Sequence, residues 1–479
     1  MHLRILLSAL TATAVALAAP VPPAAADTYR VTLDPSARQE PADGRLILFF
    51  VTETGGRWDH IAPVTGPFWE RPQPIASVAV SDLKPGGCVT IDGTAIAFPT
   101  SLDSLDGPVR VQAVLDVDNT ERSHLQGPGN LLSDVVTTKL DAKAEDFVSL
   151  TLKRTVRLRR PSADRDNLKW IEFRSDSLSR FYGRDVSHRA GVALPRGYLE
   201  ADAVRAHWPA IYIVPGFGGR HREAARLARE LEQPSSSLPE AVHIVLDPES
   251  PLGHHGFVDS VNHGPRGAAL ASELIPHLES KFRLVARPEG RIVTGHSSGG
   301  WSALWLQLNW PQVFGGCWAS APDPIDFTAF QMANLYENAS LYVDEQGEPV
   351  PSYRVLTGPD GGTAVRMTVR EECLMEHAMN PNGGSGEQWD TWEAMFSPKD
   401  PTSGYPAPLF DARTGAIHRE VVAHWSRFDI TKQVTENWEL LGPIVTDKVR
   451  LICGSVDSFY LNRAVERFRE KIALQRRSG

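Results

Sequence analysis

From about residue 186 onward, short apolar runs alternate with helical stretches, and this pattern restricts the architecture more than any single motif does. The runs are Val192-Ala193-Leu194, Ala210-Ile211-Tyr212-Ile213-Val214, Ala241 to Leu246, Arg291-Ile292-Val293-Thr294, Gly315 to Ser320 and Lys448 to Cys453. Between them, Arg222 to Glu232 and Arg266 to Phe282 read as helices. Strands that are apolar throughout, separated by helices, predict a parallel sheet covered on both faces. The expectation is an α/β domain over residues 186–479.

Within this frame one segment carries chemistry. Gly295-His296-Ser297-Ser298-Gly299 matches G-x-S-x-G, in which small residues let a strand turn sharply into a helix with a serine at the apex. The context the motif requires surrounds it. A β-branched run precedes it, and Trp301, Leu304, Trp305 and Leu308 follow at i, i+3, i+4 and i+7, the spacing of an amphipathic helix. Ser297 is therefore the candidate nucleophile.

Acyl transfer also needs backbone N–H groups aimed at the developing oxyanion, and loops poor in side chains let the backbone approach closely enough. Pro215-Gly216-Phe217-Gly218-Gly219 follows the 210–214 run and is such a loop. The candidate donors are the amide of Ser298, next to the nucleophile, and that of Phe217 or Gly218. The candidate acid is Asp457, just beyond the 448–453 run, where a carboxylate can orient an imidazole. Asp411 and Asp429 lack a clear strand before them.

Val192 to Pro195, Pro215 to Gly219, Asn262-His263-Gly264-Pro265, Glu273-Leu274-Ile275-Pro276, Gly295 to Gly300, Phe314-Gly315-Gly316 and Gly454 to Leu461 form an ordered set. As a set they resemble the esterase D-like branch of the α/β-hydrolases. The resemblance implies a serine hydrolase of carboxylic esters, with Ser297 as nucleophile and Asp457 as acid; the substrate class does not carry over, and a small-molecule or polysaccharide-linked ester is expected. It implies no cofactor, and no spacing of a zinc ligand set is present.

The family places a histidine after the acid, and here no histidine follows His424. A charged helical stretch, Leu461 to about Gln475, is all that follows the Asp457 loop, so a C-terminally shortened domain is expected. His296, His377, His418 or His424 could replace the missing base. His296 is a poor choice, because neighbouring elbow side chains diverge. A domain without its base would be a very slow esterase. Two rival readings are a catalytically inactive binding protein on a hydrolase scaffold and a serine peptidase. The stretch between Asp326 and Trp438, with Asn380-Pro381-Asn382-Gly383-Gly384 and Trp389, Trp392 and Phe396, is either a lid over the site or a solvated connector.

The amino-terminal part has a different rhythm. Residues 27–156 contain short strand-like runs, among them Leu46 to Val51 and Val109 to Leu115, punctuated by Asp43-Gly44, Pro85-Gly86-Gly87 and Asp92-Gly93. A small β-sandwich is expected, then a linker over 157–185. Trp58, His60, Trp69 and His124 could form a ligand platform, but packing within the sandwich is the simpler expectation. Residues 1–26 combine Arg4, an apolar run and Ala24-Ala25-Ala26, as in a signal peptide, so the protein is expected to be secreted or periplasmic without a stable membrane anchor. A net charge of -9 from spread acidic and basic residues argues against a nucleic-acid partner. Of four cysteines, Cys317 and Cys373 are the only pair considered for a bridge, and a full disulfide framework is not expected.

Overall fold

The structure, a computed structural model, describes residues 28–141, 147–157, 163–200, 205–359 and 361–478. The expected signal peptide lies outside them. Seven strands form the principal sheet: β1 (Leu168–Arg174), β2 (Ser187–Ala193), β3 (Ala210–Val214), β4 (Val242–Leu246), β5 (Arg291–His296), β6 (Gly316–Ser320) and β7 (Val449–Ile452). Their order is β1-β2-β4-β3-β5-β6-β7. The first two pairings are antiparallel and the remaining four parallel. This is an α/β-hydrolase fold preceded by a strand-rich region.

β4 reads as apolar because both its faces are covered, whereas Trp318 of the interior strand β6 stands exposed. Every residue of β4 is buried, and Tyr212, Val293 and Cys317 share one core with Trp301 and Leu304. Edge strands obey another rule. Within residues 157–185, read from sequence as a linker, Leu168–Arg174 is instead β1, and Asp176–Tyr182 is a helix capped by the Ser175 hydroxyl. Having a neighbour on one side only, β1 carries Lys169, Glu172 and Arg174, and such charges keep an open edge from pairing with another chain.

Four helices matter for the site: α1 (Ser298–Asn309), directly after β5; α2 (Val369–Met379) and α3 (Gln388–Phe396), both between β6 and β7; and α4 (Asn462–Ser478) after β7. In the strand-rich region, Ala42–Val51 pairs antiparallel with Ile75–Leu83 and Gly107–Asp116. A smaller sheet sets Thr28–Leu33 between Cys88–Ile91 and Phe147–Leu152. Tyr29, Val31 and Leu33 pack against Leu46, Leu48 and Phe50 between the two sheets. The opposite face of the larger sheet is buried as well: Ile47, Phe49 and Val114 meet Met375, Ala378 and Met379 of α2. Leu46 to Val51 is apolar without alternation for that reason.

The stretch between β6 and β7 is thus a packed layer and not a solvated connector. Trp389, Trp392 and Phe396 of α3 lie in its core with Phe330 and Trp425. All four cysteines are free; Cys317 and Cys373 are both buried and do not pair. No described helix is long and apolar enough to cross a membrane.

Helix α2 also carries a carboxyl whose burial predicts that stability depends on pH. Glu372 is 0% exposed and is bonded through Oε2 to the Ser352 hydroxyl, while Oε1 has no partner. Burial pushes its carboxyl up from 4.5 to about 8. With the folded value above the unfolded one, the stabilisation is complete below the unfolded value and is lost as pH rises toward the folded one. The loss runs at about 1.4 kcal/mol per pH unit. Glu372→Gln keeps the shape and removes the titration. In denaturation series between about pH 6 and pH 8, the parent should lose stability faster than the variant; parallel curves would contradict this.

Candidate active site

Ser297 sits at the junction of β5 and α1 with φ 57 and ψ -127, a conformation that a residue with a Cβ adopts only at a cost. Four backbone bonds hold it there. Its amide donates to Ser320 O of β6 at 3.0 Å, and its carbonyl accepts from the amides of Gly300, Trp301 and Asp323 at 2.8, 3.1 and 3.2 Å. The sequence supplies the room this needs. A Cβ at Gly295 would lie 2.2 Å from Gly299 O, and one at Gly299 would lie 2.0 Å from Val214 O of β3.

Both obstacles are backbone, so neither can swing aside. Helix propensity alone would favour Gly299→Ala by about 1 kcal/mol. The clash decides the sign instead, and the variant should melt several degrees below the parent and lose reactivity at Ser297. A melting temperature equal to or above the parent's would refute the close packing of β3 on this turn.

The glycine-rich loop lies where the sequence placed it. A Cβ on Gly216 would stand 3.4 Å from Ser297 Cβ. Gly219 N donates to Gly216 O at 2.9 Å across a turn in which Gly218 has φ 75. That turn bond leaves the Phe217 and Gly218 amides outside it. The Ser298 amide, as the first of α1, has no intrahelical acceptor. Ser297 and Phe217 are thereby brought together with Gly216 at one cavity, with Ser298 next in the chain; Gly218 is not among the residues lining it. His254, fully buried, supports the loop from behind: its Nε2 donates to Pro215 O at 2.9 Å and its Nδ1 accepts from Gly256 N at 3.1 Å. Burial holds this imidazole below its usual pKa.

The loop is also held from the strand-rich region. The Arg122 guanidinium stacks 4.5 Å from the Phe217 ring centroid and pairs with Glu249 at 3.0 Å and Glu387 at 3.1 Å. Both carboxylates are buried. The preceding residue, Glu121, pairs with Arg189 of β2 and with Arg220, which in turn pairs with Asp247. Nothing local in the sequence marks Arg122 or Glu121, because their partners are far away along the chain.

The carboxylate beside Ser297 is Asp323, in the turn after β6. Its Oδ1 accepts from Ser297 Oγ at 3.3 Å, and its Oδ2 accepts from Ser298 Oγ at 2.7 Å and Trp392 Nε1 at 2.8 Å. Burial raises this carboxyl's pKa; the hydrogen bonds from Ser298, Trp392 and Ser297 and the nearby His254 partly offset that rise. Sequence reasoning missed it, although its place just past a strand neighbouring β5 was a usable signal.

Asp457 occupies the turn after β7, and its Oδ1 accepts from the amides of Phe459 and Leu461 at 2.8 and 3.1 Å. No described histidine is bonded to it. The candidate bases are scattered. His296 places Nδ1 3.3 Å from Ser320 Oγ, His418 bonds Pro408 O at 2.8 Å, His424 contacts Arg427, and His377 lies on α2.

Ser297 opens into a cavity of about 280 Å³. Its walls are largely aromatic: Phe217, Trp392 and Phe459, together with Trp69 from the strand-rich region. Gly216, His296, Gln331, Gln388, Asp323 and Leu461 complete the lining. His296 therefore reaches the same cavity as Ser297, despite the divergence expected of adjacent elbow residues. Of the four residues considered as a ligand platform, Trp58 packs on Phe68, and His124 sits beside Phe49 and Asp116. Trp69, with its ring 5.9 Å from that of Phe459, is part of the site. Among the described residues no cluster of three or more His, Cys, Asp or Glu could hold a metal ion.

Residues 185–357, which include Ser297 and the glycine-rich loop, match the family described as Putative esterase. No curated protein matches the chain. Among solved structures, the chain is similar to FphF, a fluorophosphonate-binding serine hydrolase of Staphylococcus aureus, at 11% identity and a TM-score of 0.29 over 65% of this chain and 99% of that one. It is also similar to an S-formylglutathione hydrolase from Agrobacterium tumefaciens, at 12% identity and a TM-score of 0.32 over 65% and 98%. A ferulic acid esterase from Anaeromyces mucronatus gives 16% identity and a TM-score of 0.24 over 36% and 63%.

Proposed function

We propose that the protein is an exported serine hydrolase that cleaves carboxylic esters with Ser297 as its nucleophile. The observation that carries the reading is the strained Ser297 at the strand-to-helix turn, against the glycine-rich turn at Gly216. In this reading the Ser298 amide and the Phe217 or Gly218 amide receive the oxyanion, each donor contributing about 3 kcal/mol of transition-state stabilisation. The aromatic walls suit an ester with an apolar or flat group beside the scissile bond, small or attached to a polysaccharide. Asp457, the acid by resemblance, holds the loop that brings Phe459 to the cavity. Export rests on the composition of residues 1–26.

A fluorophosphonate probe with peptide mapping tests the assignment, alongside turnover of p-nitrophenyl esters. Labelling at Ser297 with ester turnover is the expected result. No labelling and no turnover would favour a binding protein, a reading that the absence of a described histidine on Ser297 keeps in play. Turnover of aminoacyl amides without esters would favour a peptidase.

A further inference from the structure

We propose that Asp323 is the proton acceptor for Ser297, a catalytic role that rests on the reading of Ser297 as an ester-cleaving nucleophile. A serine hydroxyl attacks a carbonyl only if something removes its proton as the new bond forms, and the acceptor must lie within hydrogen-bond reach. Asp323 Oδ1 is the partner of Ser297 Oγ in this structure. Neither nearby imidazole is bonded to Ser297 Oγ. Both ring nitrogens of His254 have partners, and His296 turns Nδ1 to Ser320.

The carboxylate is fixed by its far oxygen. Ser298 Oγ and Trp392 Nε1 hold Oδ2, with Gln388 Nε2 at 3.5 Å, so Oδ1 is left facing the nucleophile. The Asp323 amide donates to Ser297 O, tying the two backbones in register. At 4% exposure, the carboxylate is poorly solvated and a better base than one in water.

The step balances without a co-reactant. Ser297 Oγ bonds to the ester carbonyl carbon as its proton passes to Asp323 Oδ1. The tetrahedral adduct then expels the alcohol oxygen, which takes that proton, and leaves the acyl group on Ser297. Water repeats the sequence: its proton goes to Asp323, its oxygen bonds to the acyl carbon, and Ser297 departs with the proton.

Only ionised Asp323 can accept, so activity should fall as pH drops through its pKa. The ionisable groups facing it are His254, buried behind the loop, and His296, in the shared cavity. Trp392 is a positioning residue whose N–H stabilises the anion. Trp392→Phe should therefore move the acid limb of the pH–rate profile to higher pH while keeping turnover measurable.

The test measures fluorophosphonate labelling rates and ester turnover against pH for the full chain, Asp323→Asn and Trp392→Phe, with circular dichroism as a check of folding. Folded Asp323→Asn is expected to lose about 100-fold or more in labelling rate. Folded Asp323→Asn that labels as fast as the parent overturns the proposal and leaves the nucleophile assignment standing. A parent that is never labelled overturns both. Should Asp323→Asn fail to fold, the Trp392→Phe limb decides: a shift to higher pH supports the role, and an unmoved limb refutes it.

Discussion

Ser297→Gly is expected to abolish ester turnover while making the protein more stable. The Ser297 conformation at φ 57 carries strain on the order of 1–3 kcal/mol for a residue with a Cβ, and glycine adopts it freely. Glycine gives back about 0.5–1 kcal/mol in chain entropy, so a net gain of about 1 kcal/mol remains. Ser297→Ala keeps the Cβ and the strain, and should stay near the parent in stability. Both variants lose the hydroxyl proposed to attack the ester, and removal of a serine nucleophile can lower turnover on the order of a million-fold. Chemical denaturation of the three proteins, with turnover at saturating ester, checks the pair of effects. If the glycine variant proves less stable than the alanine one, the strained turn is not as described.

The second large effect is expected at Arg122. Its guanidinium joins Glu249, Glu387 and the Phe217 ring, and its removal leaves two buried carboxylates without their cation. Breaking a buried pair in this way destabilises by about 3–5 kcal/mol, because the abandoned charge stays desolvated. Burial already raises the pKa of both glutamates with the arginine present. In Arg122→Met they should rise further, so the loss is smallest at acid pH and grows as pH climbs through the raised values. Turnover should fall about 100-fold with the loosened glycine-rich loop, proposed to hold the oxyanion. Adding Glu249→Gln and Glu387→Gln should recover much of the stability and little of the rate. Denaturation at about pH 5 and pH 8 reads the first effect and steady-state kinetics the second. A variant equal to the parent at both values would show that the stacked guanidinium holds nothing.

The strained serine turn proposed to carry the nucleophile was legible because its requirements are local: two glycines, a β-branched run before and a helical period after. The sheet was legible for a similar reason, since strands covered on both faces cannot alternate. Asp323 escaped because its meeting with Ser297 depends on β6 lying beside β5, where His296 faces Ser320. Trp392 and Arg122 arrive from elements with no sequence proximity to the turn. β1 was hidden by its own charges, which suit an edge strand and read as a linker. Trp69 could not be told from a packing residue until Phe459 was placed opposite it.

The larger amino-terminal sheet is sheathed on its outer side by α2 of the hydrolase part, through Phe49 and Met379 among others. The two halves are accordingly not separable goods. A fragment starting near residue 165 would carry a naked methionine-rich seam and should clump when produced by itself, and a graft of the catalytic half onto another carrier would need a replacement wall, not merely a new tether.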